Sequence, residues 1–238
     1  GYNIIVLVFA QYITARYILA PQIPWSILFF DFKFFAIVIA SALTTAGGYI
    51  INNFYDAAKD QINRPKKYML EHLISQKFQL VFYLILNMAA FIIASIISIR
   101  VVLFFLFYML TIWFYSNTVK RLFWLSNVYS ALLMILPFWA ITLYFKNFDP
   151  IIFYHAAYLF FLILSRDIIK DLENFKGDWV QRYQTLPVVF DHKTTKAIIT
   201  ICIIFTFIPT YFIIQQPLGS IHNFYWVSIL FLCFFCVF

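Results

Sequence analysis

The sequence predicts an all-α fold, a polytopic transmembrane helix bundle, and three observations carry the prediction. Of the 238 residues, 64% are hydrophobic and only 11% are charged. A soluble domain of that size keeps a far larger polar surface, so most of these side chains would have no interior to occupy. In lipid they face outward without penalty, and a helix satisfies its own backbone there. The apolar residues also gather into runs close to the roughly 20 residues that a helix needs to cross a bilayer. Finally, the charged residues collect after alternate runs rather than after every one.

Eight spans are legible in order, at about 2–20, 33–55, 78–98, 101–116, 124–145, 150–166, 197–214 and 221–238. The first lacks the basic start and small-residue cleavage site of a signal peptide. The second ends in the polar stretch "INNFYDAAKDQINRPKK", residues 51–67. The fourth and sixth are short as apolar runs, and the sixth leads directly into "SRDIIKDLENFKGD". The last contains "CFFC", but Cys202, Cys233 and Cys236 all lie among lipid-grade neighbours and read as inert, buried thiols. The four His are scattered, with His155 alone inside a span, and a structural role is expected for each. Residues 1–238 are expected to form a single transmembrane domain. Because the chain opens and closes inside apolar runs, natural residues are expected to be missing at one or both ends.

Charge sets the orientation. The connections after the second, fourth and sixth spans hold 13 of the 17 Lys and Arg residues, against Lys33, Arg100 and Lys146 on the other side and Arg16 within the first span. Basic loops stay inside, so that side is expected to be cytoplasmic in a multi-pass protein of the cell (inner) membrane. The acids are equally polarised: only Asp31 and Asp149 fall on the far side. A basic rim that only fixed topology would not need acids beside it. One face gathers the chemistry, and no nucleic-acid partner is expected.

The acids form two clusters of like spacing. If residues 33–60 are one helix, Asn52, Asp56 and Asp60 repeat every four positions and share a face, with Asn53 at its border. Asp167 and Asp171 again stand four apart, Asp178 follows about two turns later, and Asn174 lies between. Asp56 to Asp167 and Asp60 to Asp171 are both separated by 111 residues. Both carrier helices run the same way, so the acids sit at one depth. Facing carboxylates repel unless something positive lies between them. Without His or Cys, the donor set suits a hard cation such as Mg²⁺, which takes one or two carboxylates and fills its shell with water and phosphate oxygens. Arg64, Lys66, Lys67, Lys120, Arg121, Arg166 and Lys170 stand near enough in sequence to hold the remaining phosphate charge. The pattern asks for a metal-bridged diphosphate. The bland alternative is a pair of solvated helix ends with local ion pairs, Asp56 with Lys59 or Asp171 with Lys170.

These residues resemble the UbiA superfamily of intramembrane prenyltransferases. "NNFYDAAKD" is similar to its N-D-x-x-D-x-x-x-D signature through Asn52, Asp56 and Asp60, with Asn53 where Asp is common. "INRP" follows as the family's N-R-P does. Asp167, Asp171, Gly177 and Asp178 resemble the second signature, and "QTLPVVF" (Gln184 to Phe190) its T-L-P-V sequel. "FYSNTVKRL" resembles the intervening Tyr-to-Lys segment through Tyr115, Ser116 and Lys120. The landmarks come in family order over residues 52–190.

The resemblance implies about eight to nine helices around a central cavity, with short loop helices over its mouth. It also implies Mg²⁺-dependent transfer of a prenyl group from a prenyl diphosphate to a membrane-soluble acceptor. Asn52, Asp56, Asp60, Asp167 and Asp171 would hold metal. Asn52, Asn53, Arg64, Lys120, Arg166, Lys170 and Asp178 would bind substrate, and Tyr115 would face the allylic cation. "RDIIKDLENFKGD" most resembles the subgroup that transfers geranylgeranyl to geranylgeranylglyceryl phosphate, with Asn174 where an Asp is usual. An aromatic acceptor of quinone biosynthesis, a non-catalytic member and a transporter remain as alternatives. Transport would place acids at mid-membrane with a polar path to the far side, and the sequence shows neither.

Overall fold

The computed structural model describes residues 2–71 and 74–215, and these are helical without strands. Among them, seven helical segments are long and apolar enough to cross a membrane, ending with His192–Ile214. The eighth expected span, 221–238, lies outside the described residues. The chain is an integral membrane protein: large apolar side chains such as Phe30 (88% exposed) and Ile99 (70%) point outward, where lipid is their solvent.

α1 (Tyr2–Thr14) widens into a π turn (Ala15–Leu19) and is followed by the short α2 (Trp25–Phe30). α3 (Phe32–Asn63) begins where the Asp31 carboxylate accepts from the backbone N–H groups of Lys33 and Phe34. It outlasts its apolar run by two turns and stops at Arg64, whose φ of −141° is non-helical, because Pro65 excludes the helical region for the residue before it. Pro65 opens α4 (Pro65–Glu71). Ser75 caps α5 (Gln76–Ile97) and Ser98 caps α6 (Ile99–Asn117). A 3₁₀ turn (Val119–Arg121) leads into α7 (Leu125–Phe145).

α8 (Pro150–Glu173) extends well past the apolar run that ended near residue 166. Hydropathy marks the lipid-embedded length, whereas Arg, Lys and Glu continue a helix readily into the polar region. The helix turns at Asn174, so Asp178 rides on a separate short helix, α9 (Phe175–Val180), rather than two turns further along α8. α10 (Leu186–Val189) and α11 (His192–Ile214) follow, the latter capped by Asp191.

α3 is the central element, packed against α1, α5, α6, α7 and α9. Its approach to α5 is close: a Cβ on Gly47 would stand 3.3 Å from Asn87 Nδ2. Small residues at such contacts let helices pack where lipid offers no hydrophobic drive. α8 lies between α7 and α11. α3, α6 and α8 run toward the end of the bundle that carries the acids, and α9 and α10 fold over that end.

Candidate functional site

A cavity of about 480 Å³ opens between α1, α3, α6, α7 and α8. Deep inside, its walls are Val6, Leu7, Ile112, Leu133, Met134 and Ile163. At the acid end they are Asn52, Asn53, Asp56, Asp60 and Arg64 from α3 and its cap, facing Asp167, Lys170 and Asp171 from α8. Tyr115, Ser116 and Lys120 close one side, and Ser126, Asn127 and Ser130 of α7 close the other. Two clusters 111 residues apart thus share one chamber. Its lining holds four carboxylates (Asp56, Asp60, Asp167, Asp171) and four basic groups (Lys59, Arg64, Lys120, Lys170), so formal charge cancels.

On the α3 wall, Asp56 accepts from Lys120 Nζ at 2.7 Å and from Asn52 Nδ2 at 2.9 Å. Lys120 is only 6% exposed, and its ammonium also lies 5.6 Å from the Tyr55 ring centroid. The 3₁₀ turn after α6 delivers this lysine into the chamber. On the α8 wall, Asp171 accepts from Asn127 Nδ2 at 2.7 Å and Asp167 from Ser130 Oγ at 2.6 Å. Lys170 Nζ stands 3.5 Å from Asp167. The Tyr115 ring stacks on Tyr129 with 6.0 Å between centroids and 4° between planes.

Two expected substrate-binding residues lie outside this lining. Arg166 is about half-exposed, 3.9 Å from Asp167 and 3.9 Å from Met134 Sδ. Asp178 is 0% exposed and committed to Lys59 Nζ at 2.9 Å and Thr185 Oγ1 at 3.3 Å. Burial pushes the Asp178 carboxyl above its ordinary range, and the Lys59 ammonium opposes that shift. This pair ties α3 to α9 and α10. Asn63 makes a second tie, donating to Asn174 O at 3.0 Å and accepting from Gly177 N at 2.8 Å. A Cβ on residue 177 would collide with the Asn63 side chain, so any other residue there would push that amide off both of its hydrogen bonds. The N-R-P and G-D landmarks are thus partly a clamp that sets two walls at one depth.

The sequence reading missed Asn127 and Ser130. They stand three apart on α7 and face the second cluster, but nothing in their local sequence separates them from ordinary polar residues at a helix start.

Among the described residues, no three His, Cys, Asp or Glu side chains converge into a ready-made metal cage. The carboxylates are instead divided between two walls. That division fits Mg²⁺, which dehydrates reluctantly and shares its shell with phosphate oxygens, better than a metal wrapped wholly by protein. Two further atoms favour a cation: the side-chain oxygens of Asn52 and Asn127 are buried without a hydrogen-bond donor, one on each wall.

Comparison with known proteins agrees with this geometry. Residues 8–238 match the family model of the UbiA prenyltransferase family. A digeranylgeranylglyceryl phosphate synthase of Sulfurisphaera tokodaii is 28% identical over 202 residues, covering 82% of this chain and 71% of its own. The synthase of the same name from Thermococcus sibiricus is 28% identical over 200 residues, covering 84% of this chain and 68% of its own. Among solved structures, a UbiA homolog from Archaeoglobus fulgidus bound to GPP and Mg²⁺ superimposes with a TM-score of 0.75 at 16% identity, over 99% of this chain and 84% of that one. An apo UbiA homolog from Aeropyrum pernix K1 gives 0.77 at 14%, over 99% and 87%. The structural likeness speaks for the fold, and the family model for kinship: the chain belongs to the UbiA prenyltransferase family and is an integral membrane prenyltransferase.

Proposed function

We propose that the chain transfers a geranylgeranyl group from its diphosphate to geranylgeranylglyceryl phosphate, within the membrane and with Mg²⁺. The observation that carries this reading is one chamber with two carboxylate pairs and four basic groups at its mouth and apolar walls at depth. A formally neutral mouth suits a cation and an anion entering together, whereas a diphosphate alone would face four carboxylates.

Asp56, Asp60, Asp167 and Asp171, with Asn52, are the residues to hold Mg²⁺. When bound, the metal supplies positive charge against the leaving diphosphate. Lys120, Arg64 and Lys170 donate to the diphosphate oxygens, and their preset positions favour the bond-breaking state in which charge on those oxygens is greatest. Scission of the allylic C–O bond leaves a delocalised cation on the prenyl carbon. The Tyr115 ring, held by its stack on Tyr129, offers that cation a π face. Ile112, Leu133, Met134 and Ile163 keep water from it until the acceptor hydroxyl oxygen bonds to it, the hydroxyl proton passing to the released diphosphate. Asp178 and Asn63 act at one remove, by fixing the walls.

The acceptor rests on the names of the relatives and on "RDIIKDLENFKGD". The excess of Lys and Arg on that side supports a mouth at the cytoplasmic face, and residues 1–238 are read as a single domain.

The test is an assay of the purified chain with labelled geranylgeranyl diphosphate and a panel of acceptors. Expected are label in geranylgeranylglyceryl phosphate, loss of turnover on chelation by EDTA, and loss in Asp56→Ala and in Asp171→Ala. Label appearing only in aromatic acceptors would move the protein to quinone chemistry. Turnover that survives EDTA and both substitutions would remove the metal–diphosphate mechanism altogether.

A further inference from the structure

We infer that Asn127 on α7 is the third oxygen donor of the α8 wall, so that Asn127, Asp167 and Asp171 together form a cation site facing Asn52, Asp56 and Asp60. The inference rests on the function proposed above and deepens it by naming the missing member of the second cluster.

The separation of 111 residues pairs Asp56 with Asp167, Asp60 with Asp171 and Asn63 with Asn174. The same separation pairs Asn52 with Ile163, which lines the chamber but has no donor atom to offer. α8 alone therefore supplies two ligands where α3 supplies three. Asn127 fills the gap from the neighbouring helix. Its Nδ2 donates to Asp171 Oδ2 at 2.7 Å, so it joins the wall beside the counterpart of Asp60, whereas Asn52 joins the α3 wall beside Asp56 at 2.9 Å.

The amide orientation follows from chemistry. An ionised carboxylate only accepts, so each asparagine must present its NH₂ to its aspartate, which turns its carbonyl oxygen the other way. Both oxygens are buried with no donor, and Asn127 as a residue is 4% exposed in the chamber wall. A buried acceptor left unsatisfied is destabilising, and a cation removes that penalty. An amide oxygen together with the carboxylates of Asp167 and Asp171 makes a hard, oxygen-only set of the kind Mg²⁺ takes.

The test reads metal binding directly. Mn²⁺, a paramagnetic substitute for Mg²⁺, is titrated by electron paramagnetic resonance into the purified full chain with an unreactive geranylgeranyl thiolodiphosphate. Asn127→Ala is expected to weaken Mn²⁺ by about 10-fold or more. Asn127→Cys should weaken Mn²⁺ similarly while tightening Cd²⁺, because a thiolate is a soft ligand. Wild-type Cys202, Cys233 and Cys236 set the Cd²⁺ background, and the cysteine variant answers the question if the alanine variant fails to fold. Mn²⁺ affinity unchanged in either variant, or no gain in Cd²⁺, overturns the assignment. If Asp56→Ala and Asp171→Ala lose Mn²⁺ while both Asn127 variants keep it, the general mechanism stands and only this inference falls. If the wild-type chain binds no Mn²⁺ with the analogue, the proposed function falls first and takes the inference with it.

Discussion

The α3 wall and the α8 wall, for which matching tasks are proposed, differ in construction. On α3, Asn52, Asp56 and Asp60 follow one another every four residues, so a single helix aligns its own donors. On α8, only Asp167 and Asp171 are in line, and α7 supplies Ser130 and Asn127 to orient them. The first wall is a local property of sequence. The second exists only when two helices pack correctly. A packing error therefore harms the α8 wall more than the α3 wall.

The largest expected effect concerns the joint between the walls. Lys59 and Asp178 are buried together, and removing one partner leaves the other charge uncompensated. Asp178→Ala should destabilise the protein by about 3–5 kcal/mol, while the double change Lys59→Met with Asp178→Leu should recover much of it. Unfolding monitored in detergent checks both. Equal stability of the single and double variants would mean that the pair is solvated and the walls are joined by other contacts.

Next come the walls themselves. Asp56→Asn and Asp171→Asn should each reduce turnover by about 100-fold or more, the loss expected when a carboxylate proposed to hold the metal that opposes the leaving diphosphate is neutralised. The comparison predicts similar losses on the two walls, measured as kcat at saturating prenyl diphosphate. A large loss at Asp56 with a mild one at Asp171 would make the α8 wall accessory.

A transplant sharpens the contrast further. Asn127→Leu removes the donor on α7, and Ile163→Asn added to it restores an asparagine at the position on α8 equivalent to Asn52. The double variant should regain part of the divalent-cation affinity that Asn127→Leu loses, about 10-fold. No recovery would mean that α8 and α3 do not present their fourth-residue neighbours to the chamber in the same way.

The difference in construction also explains what was legible in advance. Asn52, Asp56, Asp60, Asp167 and Asp171 could be found because helical periodicity places them on one face, and the equal separation suggested that the faces meet. The membrane bundle was legible from hydropathy, and Lys120 from the resemblance. Asn127 and Ser130 were not, because a side chain contributed from another helix leaves no periodic trace. Asp178 differs from expectation for a related reason: counted along α8 it falls near the acid face, but the turn at Asn174 carries it out of the chamber lining and into a buried pair with Lys59. Asn63 was noticed as part of "INRP", yet its contact with Gly177 depends on α9 folding back.

The smallest effect isolates orientation from ligation. Ser130 Oγ donates to Asp167 Oδ2 at 2.6 Å, whereas Lys170 lies farther off, 3.5 Å from the other oxygen. Ser130→Ala leaves every charge and every proposed ligand in place and removes one hydrogen bond, worth about 1.5 kcal/mol at the low end of the range for a charged acceptor. Turnover should fall by about 5–30-fold, with less change in the apparent affinity for prenyl diphosphate than Lys120→Met produces. The α3 wall has no equivalent weakness of this kind, since Asp56 is held by Lys120 as well as by Asn52. If Ser130→Ala and Asn52→Ala prove equally mild, both asparagine and serine act only as orienting donors, and the two walls are more alike than their construction suggests.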